Sequence, residues 1–319
     1  MSLSIFLLIS GLVFVLGFVL WFWFHRRSKK TISAKLSDLG AAGAWLKSHP
    51  EIERPKYFEF ESEKVYYVQT GRGPDLVLLH GIGASVFTWR FLIKPLSAHY
   101  RVTALDLPGF GRSTKNTQGD YGLDAQRMRI NRFLDGLKIR KAYLVGSSMG
   151  GAIALWMAHE DPERFPKVVA LAAATSPEFI PKKLSQFVAR TPFLHKTLTR
   201  QTMRLILNNI VAKQELINSE SIEAYLEPFL DQGISVRTFI GALQLLGDRR
   251  MPQCFRGMKS GVLLLQGERD RMVSMKSLQR LSKIIRTAEV VISATGGHHI
   301  MEDEPEWTTT EILRFMRET

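Results

Sequence analysis

Only one cysteine, Cys254, stands in the 319 residues, so the chain can form neither an intrachain disulfide nor a multi-cysteine zinc site. Asn-x-Ser/Thr sequons are missing as well, and both absences are compatible with a reducing compartment. No cluster of His, Asp or Glu has metal-ligand spacing. No Gly-rich loop reads as a dinucleotide site either, because Gly109-Phe110-Gly111 lacks a third glycine at the right offset. The expectation is therefore an enzyme or binding protein with no metal and no cofactor. Charge is missing in two further places: Leu3 to Phe24 carries none of either sign, and Phe179 to Gln214 contains no acidic residue.

The uncharged segment Leu3–Phe24 is long enough to cross a hydrocarbon core of roughly 30 Å as a helix. Trp21 and Trp23 sit where an aromatic belt would lie, and His25-Arg26-Arg27-Ser28-Lys29-Lys30 follows. A cleaved signal needs positive charge before a shorter apolar stretch, the reverse of this pattern. Residues 1–30 are thus expected to form a single transmembrane anchor with a basic flank, and the positive-inside rule puts the rest of the chain on the cytoplasmic face. The acid-free stretch holds Lys182, Lys183, Arg190, Lys196, Arg200, Arg204 and Lys213, a large share of a net charge of +13. Two readings stand: a solvated helical face, or a surface drawn to anionic lipid headgroups. With no recognised nucleic-acid module beside the charge, nucleic acid is not an expected partner. No pattern specifies an oligomeric state.

Residues 31–54 read as a polar juxtamembrane linker, with the folded domain beginning near Pro55. Lys56–Phe60 and Val65–Gln69 read as a hairpin. Strand-like apolar runs then alternate with helical ones: strands at 76–79, 102–105, 142–145 and 168–171, helices at 85–98 and 123–137. The rhythm breaks at Ser176-Pro177 and resumes with strands at 262–266 and 289–292, a helix at 274–285 and a terminal helix from Pro305. This predicts an α/β fold with a largely parallel sheet covered on both faces. Its core comprises residues 55–175 and 251–319, and residues 176–250 form a helical cap over the carboxyl ends of the strands.

Gly146-Ser147-Ser148-Met149-Gly150 stands between the strand-like Ala142-Tyr143-Leu144-Val145 and a helix-like run that opens at Gly151. That is a Gly-x-Ser-x-Gly nucleophile elbow in the strand–turn–helix context the motif requires. Asp270, in Gly267-Glu268-Arg269-Asp270, and His298, in Gly296-Gly297-His298, follow later strand ends in the order Ser, Asp, His. Serine is a poor nucleophile at neutral pH and needs a base, and the base needs a carboxylate to fix its tautomer. The expected roles are Ser148 as nucleophile, His298 as base and Asp270 as its orienting acid. His80-Gly81-Ile82-Gly83 follows the first buried strand, so the N–H groups of Ile82 and Met149 are the candidate oxyanion hole. Alone, Asp270 could be a loop carboxylate, His298 a half-buried loop histidine and the glycine turn an ordinary one.

With Asp106-Leu107-Pro108-Gly109-Phe110-Gly111-Arg112-Ser113 added to these pieces, the chain resembles the α/β-hydrolase family over residues 55–319. The resemblance implies an eight-stranded, mostly parallel sheet with a cap inserted after the sixth strand, and it assigns the same triad. It also favours His298 over His299 as base, because Asp303 and Pro305 fall at the family's positions counted from His298. With its apolar N-terminus, the chain is similar to membrane-anchored monoacylglycerol lipases and to small bacterial lipases and esterases. The expected function is hydrolysis of a lipidic ester such as a monoacylglycerol or lysophospholipid. Leu184, Phe187, Val188, Leu198, Leu205 and Leu207 either line an acyl pocket or pack the cap's own core. The alternatives are acyl transfer to a lipid alcohol, C–C bond hydrolysis on the same fold, or a non-catalytic binding role.

Overall fold

A computed structural model of the chain describes residues 44–46, 48–49, 52, 55–60, 63–175, 198–231 and 233–317. The Leu3–Phe24 segment and residues 176–197 of the cap lie outside them. Among the described residues, no helix is long and apolar enough to cross a membrane.

The sheet opens with an antiparallel pair, β1 (Lys56–Phe60) and β2 (Glu63–Thr70), and continues into β3 (Asp75–Leu79). Then come α1 (Ile93–Ser97), β4 (Arg101–Leu105), α2 (Leu123–Gly136), β5 (Tyr143–Ser147), α3 (Met149–Glu160) and β6 (Lys167–Leu171). The described part of the cap contains α4 (Arg200–Ile210), α5 (Ser219–Leu226) and α6 (Ile234–Leu246). The core resumes with β7 (Gly261–Gly267), α7 (Met275–Ile284), β8 (Glu289–Ser293), α8 (Ile300–Asp303) and α9 (Pro305–Arg317). The strands form one eight-stranded sheet in the order β1-β2-β4-β3-β5-β6-β7-β8. It is parallel from β4 to β8, and β2 runs antiparallel to both β1 and β4.

Two-sided burial explains why the inner segments are strands. In β3 the side chains of Val77 and Leu79 enter one apolar cluster while Leu76 and Leu78 enter the other, and all four are fully buried. A strand covered on both faces has no reason to alternate with polar residues, hence the continuous apolar run. Burying each such side chain is worth about 1.5–3 kcal/mol. The helix α3 shows the same logic in another period: Met149 through Ala158 are all buried, so it is apolar all round.

Two expectations need correction. Residues 85–98 form no single helix: Val86–Trp89 is a 3₁₀ turn, and α1 begins only at Ile93. Pro95 is the reason, since it lacks an N–H and its ring excludes a preceding helical turn, which confines it to the first turn of a new helix. The packed unit also reaches upstream of Pro55, for Trp45 and Ile52 are each 5% exposed, and Trp45 stands edge-on to Phe87 at 6.2 Å.

Candidate active site

Ser147 ends β5 and Met149 starts α3, so one residue must reverse the chain. Ser148 does this at φ 52°, ψ −115°, a conformation that costs a residue with a β-carbon of order 1–3 kcal/mol. The neighbours hold it there. Its N–H donates to the Leu171 carbonyl at 2.8 Å, and its own carbonyl accepts from Ala174 N–H at 3.1 Å. The flanking glycines are required by close approach: a β-carbon on Gly146 would sit 2.2 Å from the Gly150 oxygen, and one on Gly150 2.1 Å from the Leu79 oxygen. The elbow is therefore wedged between β3 and the start of α3, and Ser148 is 4% exposed.

Asp270 and His298 come together from the ends of β7 and β8. His298 Nδ1 lies 3.0 Å from Asp270 Oδ2, with the two side chains 6% and 0% exposed. The other carboxylate oxygen, Oδ1, accepts from the N–H groups of Met272 at 2.7 Å and Val273 at 2.9 Å. Because these bonds fix the carboxylate plane, the imidazole is oriented with Nδ1–H toward Asp270 and Nε2 left for chemistry. Ser148 Oγ is not hydrogen-bonded to His298 in this structure; such bonds commonly close only when substrate is present. His299 takes a different partner. Its Nδ1 meets the Tyr225 hydroxyl at 3.1 Å, and its ring stacks on that of His298 with centroids 5.7 Å apart. The rival histidines thus separate cleanly: His298 faces Asp270 and His299 faces the cap.

The glycine turn after β3 touches the elbow, since a β-carbon on Gly81 would stand 3.3 Å from that of Ser148. Ile82 N–H and Met149 N–H, the candidate oxyanion donors, are not used in any hydrogen bond among the described residues. Met149 is also the first residue of α3, where the helix dipole favours negative charge. From the cap side, a β-carbon on Gly83 would lie 3.2 Å from the rings of Phe229 and Phe239, so these aromatics close over the turn. Of the six apolar cap positions, Leu207 is buried among core residues, Leu198 is partly buried and Leu205 is 62% exposed. Leu184, Phe187 and Val188 lie outside the described residues.

Sequence reading named His80 and Asp106 only as pieces of motifs; the structure gives them work. His80 is fully buried, accepts from Leu107 N–H at Nε2 (2.8 Å) and therefore donates from Nδ1 to the Gly81 carbonyl (2.7 Å). Burial pushes its pKa down to about 4, so the ring stays neutral and clamps the peptide beside Ile82. Asp106 accepts from Val86 N–H at 2.6 Å and Arg112 N–H at 2.7 Å, yet burial still pushes its carboxyl up to about 6. No sequence signal announces a second buried group near His299. Glu302 bonds Arg90 at 2.6 Å and the Tyr225 hydroxyl at 2.5 Å, and Tyr225 belongs to the cap helix α5.

The profile of the alpha/beta hydrolase fold family matches residues 74–305. The uncharacterized hydrolase YugF of Bacillus subtilis is 32% identical over 273 residues, covering 82% of this chain and 97% of that protein. Monoacylglycerol lipase ABHD6 of Bos taurus is 22% identical over 328 residues, covering 96% of this chain and 90% of its own. Among solved structures, the 2-hydroxy-6-oxo-6-phenylhexa-2,4-dienoate hydrolase of Rhodococcus sp. strain RHA1 superposes with a TM-score of 0.72. It is 24% identical, over 84% of this chain and 100% of that one, a likeness of fold. Sheet order, elbow and profile agree: the chain belongs to the α/β-hydrolase fold family and is a hydrolase of that fold.

Proposed function

We propose that this protein is a membrane-anchored serine hydrolase that cleaves carboxylic esters of lipid character, such as a monoacylglycerol or a lysophospholipid. The observations that carry the chemistry are the buried Asp270–His298 pair that follows β7 and β8 and a serine held in a strained elbow after β5 of the same sheet. In this reading His298 Nε2 takes the Ser148 proton as Oγ attacks the ester carbonyl. The N–H groups of Ile82 and Met149 receive the oxyanion, and the imidazolium then protonates the departing alcohol, leaving an acyl-Ser148. Water, deprotonated by His298, attacks that acyl carbon, and collapse releases the acid and restores the serine hydroxyl. Asp270 keeps Nδ1–H fixed and offsets the imidazolium charge. No step calls for a metal or a cofactor.

The lipid part of the proposal rests on the apolar Leu3–Phe24 segment, with the catalytic unit on the cytoplasmic face, and on the resemblance to a relative named as a monoacylglycerol lipase. The test is fatty-acid release from monoacylglycerols of graded acyl length in detergent, comparing the intact chain with Ser148→Ala. Activity that rises with acyl length and disappears in the variant is the expected result. Cleavage of short esters alone would leave the serine chemistry standing and remove the lipid substrate. No Ser148-dependent release at any length would move the assignment to acyl transfer, C–C hydrolysis or a binding role.

A further inference from the structure

Asp303 lies five residues past His298 and outside the triad, and it is 1% exposed. Its Oδ2 accepts from Gly297 N–H at 2.8 Å, the peptide immediately before His298. Its Oδ1 accepts from Ala212 N–H and Lys213 N–H, each at 2.9 Å, in the cap segment just past α4. Charge-assisted bonds of this kind are roughly twice as strong as neutral ones. Two further contacts close the same seam. His299 N–H donates to the Ile210 carbonyl at 3.0 Å, and a β-carbon on Gly297 would stand 2.8 Å from Ala212 N and 2.9 Å from Asp303 Oδ2. Loop, carboxylate and cap backbone therefore meet with no room for a side chain between them.

We propose that Asp303 is a positioning residue that sets His298 through the Gly297 peptide and makes the base's placement depend on the seating of the cap. The proposal rests on the reading of His298 as the base. Asp270 fixes the imidazole at one ring nitrogen only, so the ring can still swing about that bond if the backbone carrying it shifts. The Gly297 bond holds that backbone, and because the other carboxylate oxygen is spent on the cap, the two parts move as one. A displacement of about 1 Å at a reacting group is enough to cost about 100-fold in rate.

The test uses the full chain in detergent and three variants. Asp303→Asn keeps the shape but offers one acceptor oxygen and turns an NH₂ toward N–H donors. Asp303→Glu restores a carboxylate. Ala212→Pro removes a cap donor and sets a ring carbon where that N–H meets Asp303, so it unseats the cap without altering the carboxylate's own chemistry; the extended backbone of the preceding Val211 (φ −103°, ψ 145°) accepts a following proline. Asp303→Asn should lower kcat on a short p-nitrophenyl ester by about 10- to 100-fold with little change in KM, and slow fluorophosphonate labelling of Ser148 by the same factor. Asp303→Glu should recover most of that loss, and Ala212→Pro should reproduce part of it. Amide hydrogen exchange in Asp303→Asn should rise together in residues 210–213 and 296–299. Wild-type kcat and labelling rate in folded Asp303→Asn would overturn the positioning role, and faster exchange in only one of the two segments would overturn the coupling. If the wild type shows no Ser148-dependent hydrolysis or labelling, the triad reading fails and takes the positioning role with it, while the exchange data still decide the coupling.

Discussion

Glu302→Gln is the perturbation with the sharpest consequence for stability. The Glu302 and Arg90 side chains are 2% and 7% exposed and 2.6 Å apart, and the Tyr225 hydroxyl donates to the same carboxylate oxygen. Burial by itself would raise the Glu302 pKa, but the Arg90 charge, with His299 and Tyr225, overcomes it and holds the carboxyl down at about 2. The sign follows directly. A carboxyl whose folded pKa lies below its unfolded value stabilises the fold above the unfolded value and loses that contribution as pH falls toward the folded one. The window here runs from the ordinary 4.5 down to about 2, and at about 1.4 kcal/mol per pH unit the contribution is roughly 3 kcal/mol. Glutamine removes the charge and strands a buried guanidinium, a change that costs about 3–5 kcal/mol.

Urea denaturation of the wild type and Glu302→Gln at pH 7, 4 and 3 measures this directly. The gap between them should be widest at pH 7 and should narrow below pH 4.5, because the wild type then gives up what the variant has already lost. The double variant Arg90→Met with Glu302→Gln carries no orphan charge and should be more stable at pH 7 than Glu302→Gln alone. A gap under about 0.5 kcal/mol at pH 7, or one that stays constant with pH, would refute the reasoning, since variation of that size is ordinary for sites without special contacts.

The remaining predictions concern the elbow and the two buried groups beneath it. Ser148→Gly and Ser148→Ala should both be inactive, but the glycine variant should be the more stable by about 1 kcal/mol in thermal melts because it relieves the strained backbone; equal melting temperatures would contradict the strain. Gly150→Ala places a methyl 2.1 Å from the Leu79 oxygen and should cost about 3 kcal/mol or prevent folding, as read by circular dichroism on the purified chain. Asp106, with its carboxyl raised to about 6 from 3.8, should favour the folded wild type as pH falls, so its stability lead over Asp106→Asn should grow by about 2.5 kcal/mol between pH 7 and 4. A lead that shrinks on acidification would mean that the carboxyl is not destabilised by burial. His80 works in the opposite sense: its pKa, lowered to about 4 from 6.5, makes its contribution disappear as pH falls through that window. The two effects largely cancel in the wild type, and Asp106→Asn should therefore show the steeper acid loss.

How much of this was legible in the amino-acid sequence depends on how far apart the interacting residues lie. The inner parallel strands were readable to within two residues because a buried parallel strand must be apolar on both faces, and such runs stand out against their polar flanks. The elbow was readable because its glycines and serine are neighbours in the chain. Trp45 and Ile52 were misplaced for the converse reason: two apolar residues in a polar stretch carry no periodicity, and only the partner surface around Phe87 reveals their burial. The Arg90–Glu302 pair spans 212 positions and gives no local signal at either end. Asp303 falls between these cases, because its place in the chain helped to choose His298 over His299, whereas its bonds to Ala212 and Lys213 cross 91 and 90 positions into an insertion. The chemical groups of this site were thus written in short motifs, but the polar contacts that join the cap to the loop carrying His298 are long-range. Variation in cap sequence between relatives should therefore be constrained where the backbone meets Asp303 and where the Tyr225 hydroxyl meets Glu302, however freely the rest of the cap changes.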